Sequence, residues 1–297
     1  DASNNAINAA NVSFTTADIV APTTTFSPAN SATAVAVASD ITLTFNEAVR
    51  LINNSALDDS NVDALITLKE NNSSGADIAF NATINGGKTV ITINPNSNLS
   101  STQVVYVAIG ATVEDASNNA INAANVSFTA ADVSAPTMAI TSAEVSDGAT
   151  SNDSTLAMTF TSSEATSNFL VGDISVNGGA LSSFNATSTT VYTATFTPSG
   201  DGAKTIDVAG GAFTDSSSNN NSAATQFNWT YDATSPTMAI TSAEVTDGAT
   251  SDDSTLAMTF TTSKATSNFV VGDISVNGGA LSSFNATSST VYTATFT

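Results

Sequence analysis

Acidic and amide side chains recur at matching positions of this sequence, and they are its strongest candidates for a chemical role. They stand at the end of an alternating apolar run, in the loop before a module's last run, and shortly before a proline. The residues in these three places are Glu47 and Glu164, then Asp115, Asn119, Asp215 and Asn219, and finally Asp132 and Asp232. Carboxylate and amide oxygens are the ligands that hard cations such as calcium prefer. The pattern therefore predicts calcium, in a structural role, as the cofactor of these sites.

A second interpretation of the same residues needs no ion. Asp and Asn side chains close Asx turns and cover solvated loop tips. Lys264 stands in the last copy where Glu164 stands in the previous one, and a lysine carries positive charge but offers no lone pair to a metal. This exchange counts against an ion at that position of the last copy. The sequence leaves both interpretations open.

Catalytic side chains are scarce. The chain has neither His nor Cys, so its many Ser and Thr residues lack the base that would activate a nucleophile, and thiolate metal sites and disulfides are excluded. Paired carboxylates remain for acid-base or glycosidic chemistry. Near-identical repeats seldom each carry an active site, because each repeat is mainly a packing unit. The sequence predicts a protein that is not an enzyme.

The charge balance restricts the partners. Asp and Glu number 26 against 5 Lys and Arg, which gives a formal net charge of −21. Such a field repels nucleic acid and anionic lipid, and no apolar run reaches the roughly 18 residues that cross a bilayer. We therefore expect neither nucleic-acid binding nor membrane insertion in this segment. Hydrophobic residues make up 41% of the chain in short alternating runs, which argues against disorder.

Internal repeats set the expected domain organisation. The segment DASNNAINAANVSFT occurs at residues 1–15 and again at 115–129, and residues 136–197 recur at 236–297 with a few substitutions. The predicted segments are 1–20, the C-terminal strand of a preceding incomplete module; 21–132, the first whole module; 133–232, the second; and 233–297, the N-terminal part of an incomplete third.

Short runs with period-two alternation predict β-strands. Ile41, Leu43 and Phe45 alternate with threonines, and similar runs lie at 66–68, 78–80, 90–93, 156–160 and 192–196. Glycine pairs at 86–87, 178–179 and 210–211 indicate hairpin turns. Trp229 falls in the last run of its module, where alternation gives it a core role. About seven strands per module without a clear helical stripe are typical of an immunoglobulin-like sandwich. The predicted fold class is therefore all-β, with tandem immunoglobulin-like β-sandwiches in an extended array.

This fold also gives a reason to group the acidic residues. In such a sandwich, the end of a core strand and the loop before the last strand can lie at the same pole. We therefore expect Glu47 to lie near Asp115 and Glu164 near Asp215. Asp132 falls in a junction between modules, as does its counterpart in the next copy, and an ion bound there would stiffen the array.

Several motifs resemble known repeats over nearly the whole chain. Residues 21–132, with FNEAV at 45–49 and DASNN at 115–119, resemble the bacterial Ig-like domain first described in S-layer proteins. Residues 134–232 are similar to the repeat of giant cyanobacterial and marine surface proteins associated with swimming and adhesion; the motifs are GDISV at 172–176, YTATF at 192–196 and GAFTD at 211–215.

The resemblance implies an extracellular, cell-surface location and a structural or adhesive role, as stalk, fibril or coat component of a giant secreted bacterial surface protein. Its partners would be the neighbouring modules of the same long chain. One alternative is an Ig-like module whose polar loops bind cell-surface glycans or a partner protein. Another is a fibre of identical chains, in which residues 1–22 of one chain complete the open module of the next by strand addition. The plainer account of that segment is a window cut from a longer chain.

Overall fold

The computed structural model describes residues 2–7 and 9–297, and the fold is all-β as predicted. Every regular element of the described residues is a strand apart from three short 3₁₀ turns, at Asp63–Leu65, Val171–Asp173 and Val271–Asp273. No helix in this part of the chain has the length and apolar character that spanning a membrane requires.

The strands are distributed over two compact units. The first contains the described residues up to 137, together with two loops of the second repeat, 163–169 and 210–222. The second contains residues 138–162, 170–209 and 223–297. The two loops assigned to the first unit hold Glu164 and Asp215, so that these residues share a unit with Asp132.

A β-sandwich with a single core forms the larger part of the first unit. Its strands are β1 (Thr24–Ser27), β2 (Ile41–Phe45), β3 (Arg50–Leu51), β4 (Ile66–Glu70), β5 (Phe80–Ile84), β6 (Val90–Pro95), β7 (Val104–Ile109), β8 (Val113–Glu114) and β9 (Ala124–Thr129). One sheet has the order β1-β2-β6-β5, another β4-β7-β9, and β3 pairs with β8. Leu43 and Ile91 of the first sheet lie in one buried cluster with Val107 and Phe128 of the second.

Local sequence explains these strands. In β2, the side chains of Ile41, Leu43 and Phe45 are buried while the intervening threonines are more exposed, because successive side chains of a strand point to opposite faces. The glycine pair at 86–87 forms the predicted hairpin between β5 and β6. Asn85 Oδ1 holds that turn by accepting the N–H of Thr89 at 2.8 Å.

The second sandwich has both of its sheets in the second unit. Its strands are β10 (Met138–Ser142), β11 (Thr150–Ser151), β12 (Leu156–Ser162), β13 (Ile174–Asn177), β14 (Gly179–Ala186), β15 (Val191–Pro198), β16 (Gly202–Val208) and β17 (Phe227–Tyr231). The sheet orders are β10-β12-β15-β14 and β11-β17-β16-β13. Phe196 of the first sheet meets Trp229 of the second edge to face, with ring centroids 4.8 Å apart. Both side chains are buried, as predicted for Trp229.

The glycine pair at 178–179 does not form the hairpin turn that the sequence predicts. It joins β13 to β14, which belong to different sheets, and so it is a crossing between sheets and not a hairpin. Gly178 has a φ of +76°, and a Cβ on Gly179 would lie 2.3 Å from the ring of Phe196 and 2.4 Å from the carbonyl oxygen of Thr197. Only glycine lets the chain pass this close to the core.

The third repeat forms one sheet. Its strands are β18 (Met238–Ser242), β19 (Leu256–Thr262), β20 (Leu281–Ala286) and β21 (Val291–Phe296), in the order β18-β19-β21-β20. In the second sandwich β16 and β17 pair with β13 and β11, whereas the described residues of the third repeat form the single sheet alone. Its apolar face is more open: Met238 is 38% exposed and Ile240 56%, against 5% for Met138 and 9% for Ile140.

The described residues at the start of the chain form no strand. Between residues 2 and 20, Ile7, Val12 and Phe14 are almost fully exposed. The assignment of 1–20 to the last strand of a preceding module stays a prediction, and residues 1 and 8 lie outside the described residues. The other predicted boundaries, at 21–132, 133–232 and 233–297, stay predictions as well.

Candidate cation sites

Three carboxyl groups meet in the first unit beside the first sandwich. They belong to Asp18, ahead of β1, to Glu47, just after β2, and to Asp115, just after β8. One carboxylate oxygen from each lies within 4.8 Å of the others. Asp115 is buried, Glu47 is half-buried and Asp18 is exposed, so the group opens to solvent on one side. We call it the first triad.

A second group has the same composition. Asp132 lies between β9 and β10, Glu164 follows β12, and Asp215 lies in the loop before β17. Their carboxylate oxygens again lie within 4.8 Å of one another, and Asp215 is buried. All three residues are in the first unit. This second triad repeats the order of the first: an aspartate before the module, a glutamate at a strand end, and an aspartate in a late loop.

An identical turn holds the late aspartate of each triad. Asp115 Oδ1 accepts the backbone N–H groups of Ser117 at 2.7 Å and Asn119 at 2.9 Å. The equivalent distances at Asp215 are 2.8 Å to the N–H of Ser217 and 2.9 Å to that of Asn219. This is the Asx turn that the sequence offered as an alternative to ion binding. The turn and the triad coexist, because the turn uses Oδ1 and fixes the carboxylate in place.

The asparagines of these turns act as positioning residues. The side-chain amide of Asn119 donates to Asp115 Oδ2 at 2.7 Å and to the carbonyl oxygen of Asp18 at 3.1 Å. Asn219 does the same with Asp215 Oδ2 at 2.9 Å and the carbonyl oxygen of Asp132 at 3.2 Å. Each amide therefore ties the segment before a sandwich to the late loop of that sandwich.

The pKa values of the aspartates are lowered. Burial acts to raise the pKa of Asp215, but the amide of Asn219 and the N–H groups of the turn more than compensate, so that its pKa lies below the usual range. The same balance, with the charge of Arg50 added, lowers the pKa of Asp115. The N–H of Ser134 and the hydroxyl of Ser101 lower the pKa of Asp132. These groups stabilise the fold above their ordinary pKa and lose that contribution as the pH falls through the lowered values.

The pKa of Glu164 is shifted in the opposite direction from those of the aspartates. Burial raises its pKa, and the charges of Asp132 and Asp215 raise it further. Its contribution to stability is therefore present below the ordinary pKa of Glu and lost as the pH rises through the raised value. Ionisation of all three residues of the second triad would bring three like charges together, and a proton or a cation would relieve that repulsion.

The residues of both triads fit a hard cation. Calcium takes oxygen ligands at about 2.3 to 2.6 Å, so two oxygens on opposite sides of one ion are about 4.8 Å apart. The spacing within 4.8 Å in each triad allows all three carboxylates to reach one ion. The remaining ligands would come from backbone carbonyls or water, as is usual for calcium.

The last of the predicted site residues, Asp232, has a different neighbour. Its carboxylate forms an ion pair with the ammonium group of Lys264, which also donates to the carbonyl oxygen of Thr234 at 2.6 Å. Asp232 therefore does not belong to a group of three acidic residues among the described residues. Lys264 occupies the place of Glu164 in the preceding repeat.

Asp18 is the member of the triads that sequence reasoning missed. A signal for it exists in the spacing to proline. Asp18 precedes Pro22 by the same interval that separates Asp132 from Pro136. It went unnoticed because it lies in the segment assigned to a preceding module.

Comparisons with known proteins agree with this architecture. Residues 132–231 and 232–297 match a family model described as a bacterial Ig-like domain, and residues 18–130 match a second model with the same description. No curated protein sequence matches the chain.

Solved structures that are similar to the chain at low identity include the following three. An LD-transpeptidase, LdtMt1, solved in complex with imipenem, has 15% identity and a TM-score of 0.25 over 54% of this chain and 64% of that one. A mutated three-domain Ig fragment of titin has 10% identity and a TM-score of 0.34 over 93% of this chain and 88% of that one. Invasin, a bacterial integrin-binding protein, has 13% identity and a TM-score of 0.32 over 93% of this chain and 54% of that one. The chain thus spans less than two thirds of the transpeptidase and invasin chains, and these likenesses concern the fold alone.

Proposed function

The chain belongs to the bacterial Ig-like domain family, and from that premise we propose that it is a structural segment of an extracellular bacterial surface protein. Serially linked sandwiches act as part of a stalk, fibril or coat, and the adjoining modules are their main partners. The observation that carries this proposal is the recurrence of one acidic triad in two modules that match different family models. A repeated element suits a repeated mechanical task better than a single binding event.

Calcium is the proposed structural cofactor of the triads. In each triad one aspartate comes from the segment that precedes a sandwich, and the other two acidic residues come from that sandwich's loops. An ion bound to all three would restrict the linker segment against the module. Divalent cations would also offset part of the net charge of −21, which otherwise favours extension through self-repulsion.

The proposed role involves no catalysis. The chain has no His or Cys to serve as base or nucleophile, and each triad holds its carboxylates around one point, which is the arrangement for a shared cation. A pair of carboxylates for glycoside hydrolysis would instead lie on opposite sides of a substrate bond.

Single-molecule stretching of the chain tests the mechanical role. Pulled from its ends, the protein should show separate force peaks for the two complete sandwiches, each releasing roughly 30 to 35 nm of chain, since extended residues span about 3.3 to 3.6 Å each. Calcium should raise the peak forces relative to chelator, because the ion holds the linker segment to the loops.

The control is the same chain with Glu47→Gln and Glu164→Gln, which should show equal forces in calcium and in chelator. Extension without resolved peaks, or peak forces that calcium leaves unchanged in the unaltered chain, would contradict the proposal.

A further inference from the structure

The segment around Asp132, which we call the first linker, and the segment around Asp232, the second linker, differ in how their aspartate is neutralised. Asp132 faces Glu164 and Asp215, whereas Asp232 faces the ammonium of Lys264. The exchange is one of only a few between two otherwise matching repeats. It falls at the one position where it reverses the sign of the charge presented to the linker aspartate.

The two aspartates share one backbone contact. Asp132 Oδ1 accepts the N–H of Ser134 at 3.0 Å, and Asp232 Oδ1 accepts the N–H of Thr234, the equivalent residue, at 3.3 Å. Their side-chain partners differ. Asp132 also accepts the hydroxyls of Ser101 at 2.8 Å and Ser217 at 3.2 Å, whereas Asp232 accepts the ammonium of Lys264.

The residue that accepts the N–H group following the linker aspartate also differs between the two linkers. In the first linker, Ser101 Oγ accepts the N–H of Val133 at 3.0 Å. In the second, Asp201 Oδ1 accepts the N–H of Ala233 at 2.9 Å and its other oxygen accepts the hydroxyl of Thr234. The second linker thus gains a carboxylate where the first has a hydroxyl, together with the lysine that offsets it.

The ammonium in the second linker is an observation independent of the acidic cluster in the first. It marks a place beside the linker aspartate where this fold accepts a positive charge. Its nitrogen lies 2.6 Å from the carbonyl oxygen of Thr234 and is hydrogen-bonded to Asp232. This nitrogen–oxygen distance is close to the roughly 2.3 to 2.6 Å at which calcium takes oxygen ligands.

We infer that the residue at position 164 of one repeat and 264 of the next decides where the linker's positive charge comes from. Glu164 leaves the place to a divalent cation from solution, and Lys264 fills it with the chain's own ammonium. Linkers of the first kind respond to the calcium concentration and linkers of the second kind do not. This inference rests on the proposed calcium role of the second triad, and it adds that the array contains both kinds in succession.

The test compares Glu164→Lys with Glu164→Gln in the full chain. Both variants remove one carboxylate and should lower the calcium bound by one ion per chain. Only Glu164→Lys supplies a cation. In chelator it should therefore melt above Glu164→Gln by on the order of 5 °C, the shift expected when a favourable charge contact is gained in a small domain.

The outcomes separate the inference from the proposal beneath it. Equal melting temperatures of the two variants in chelator would overturn the inference, even if the unaltered chain responds to calcium. An unaltered chain that binds no calcium would overturn the proposed calcium role and with it the division into two kinds of linker. The fluorescence of Trp229 reports whether each variant keeps the second sandwich folded. The Gln side chain of Glu164→Gln is nearly the same size as the native one, so this variant serves as the reference if the lysine variant is poorly folded.

Discussion

Adding calcium to chelator-treated protein is expected to raise its melting temperature on the order of 10 °C when the ion is at about 100 times its dissociation constant. The rise follows because an ion that binds the folded triads and not the unfolded chain shifts the equilibrium toward the folded state. Differential scanning calorimetry in chelator and in calcium measures it.

Two double variants provide the control for this shift. Glu47→Gln with Glu164→Gln removes one ligand from each triad and should abolish most of the rise. Asp247→Asn with Asp252→Asn removes the same charge from exposed positions of the third repeat and should leave the rise intact. If both pairs reduce it equally, general screening of the net charge, and not the triads, causes the stabilisation.

The calcium effect should also depend on pH. Because the pKa of Glu164 is raised by burial and by its two acidic neighbours, protons compete with the cation for the second triad. The calcium-induced rise should therefore shrink as the pH falls through this raised value, before the aspartates with lowered pKa values are protonated.

Replacing Phe196 by Ala is expected to destabilise the second sandwich by about 3 to 5 kcal/mol, the usual cost of removing a large buried aromatic side chain. Phe196 is fully buried and joins the two sheets through Trp229. Urea unfolding followed by the fluorescence of Trp229, the chain's one tryptophan, observes this module selectively. The midpoint should fall by on the order of 2 M.

The third repeat supplies a matched control. Phe296 occupies the equivalent place in the sheet of the third repeat, but it is only partly buried, because the described residues of this repeat form a single sheet. Phe296→Ala should leave the Trp229 transition nearly unchanged. Similar midpoint shifts for both variants would mean that the repeats share one core, in conflict with the separate sandwiches.

Sequence alone predicted the strands that carry strong alternation. Strands β2, β12 and β15 lie where threonines or alanines separate large apolar side chains, because one buried face selects this period directly. The crossing at Gly178 was misread as a hairpin, since a glycine pair signals a turn but not which sheet the chain enters next. That choice depends on packing against Phe196, a residue distant in sequence.

The acidic triads were partly predictable for a similar reason. Glu47 and Asp115 could be grouped because both stand at strand ends of a known sandwich pole, and the structure places them together. Asp18 lies far from both in sequence, and a hydrogen bond from Asn119 to its carbonyl oxygen brings it near. That contact has no local sequence signature apart from the spacing to Pro22. Whether the triads bind calcium stays a prediction.

Calcium bound per chain, measured by isothermal titration calorimetry on chelator-stripped protein, is the most direct test of the claim that the triads are cation sites. Two ions per chain are expected, falling to one with Glu47→Gln or Glu164→Gln and to none with both changes. Absence of saturable binding in the unaltered chain, or unchanged binding in the double variant, would contradict it.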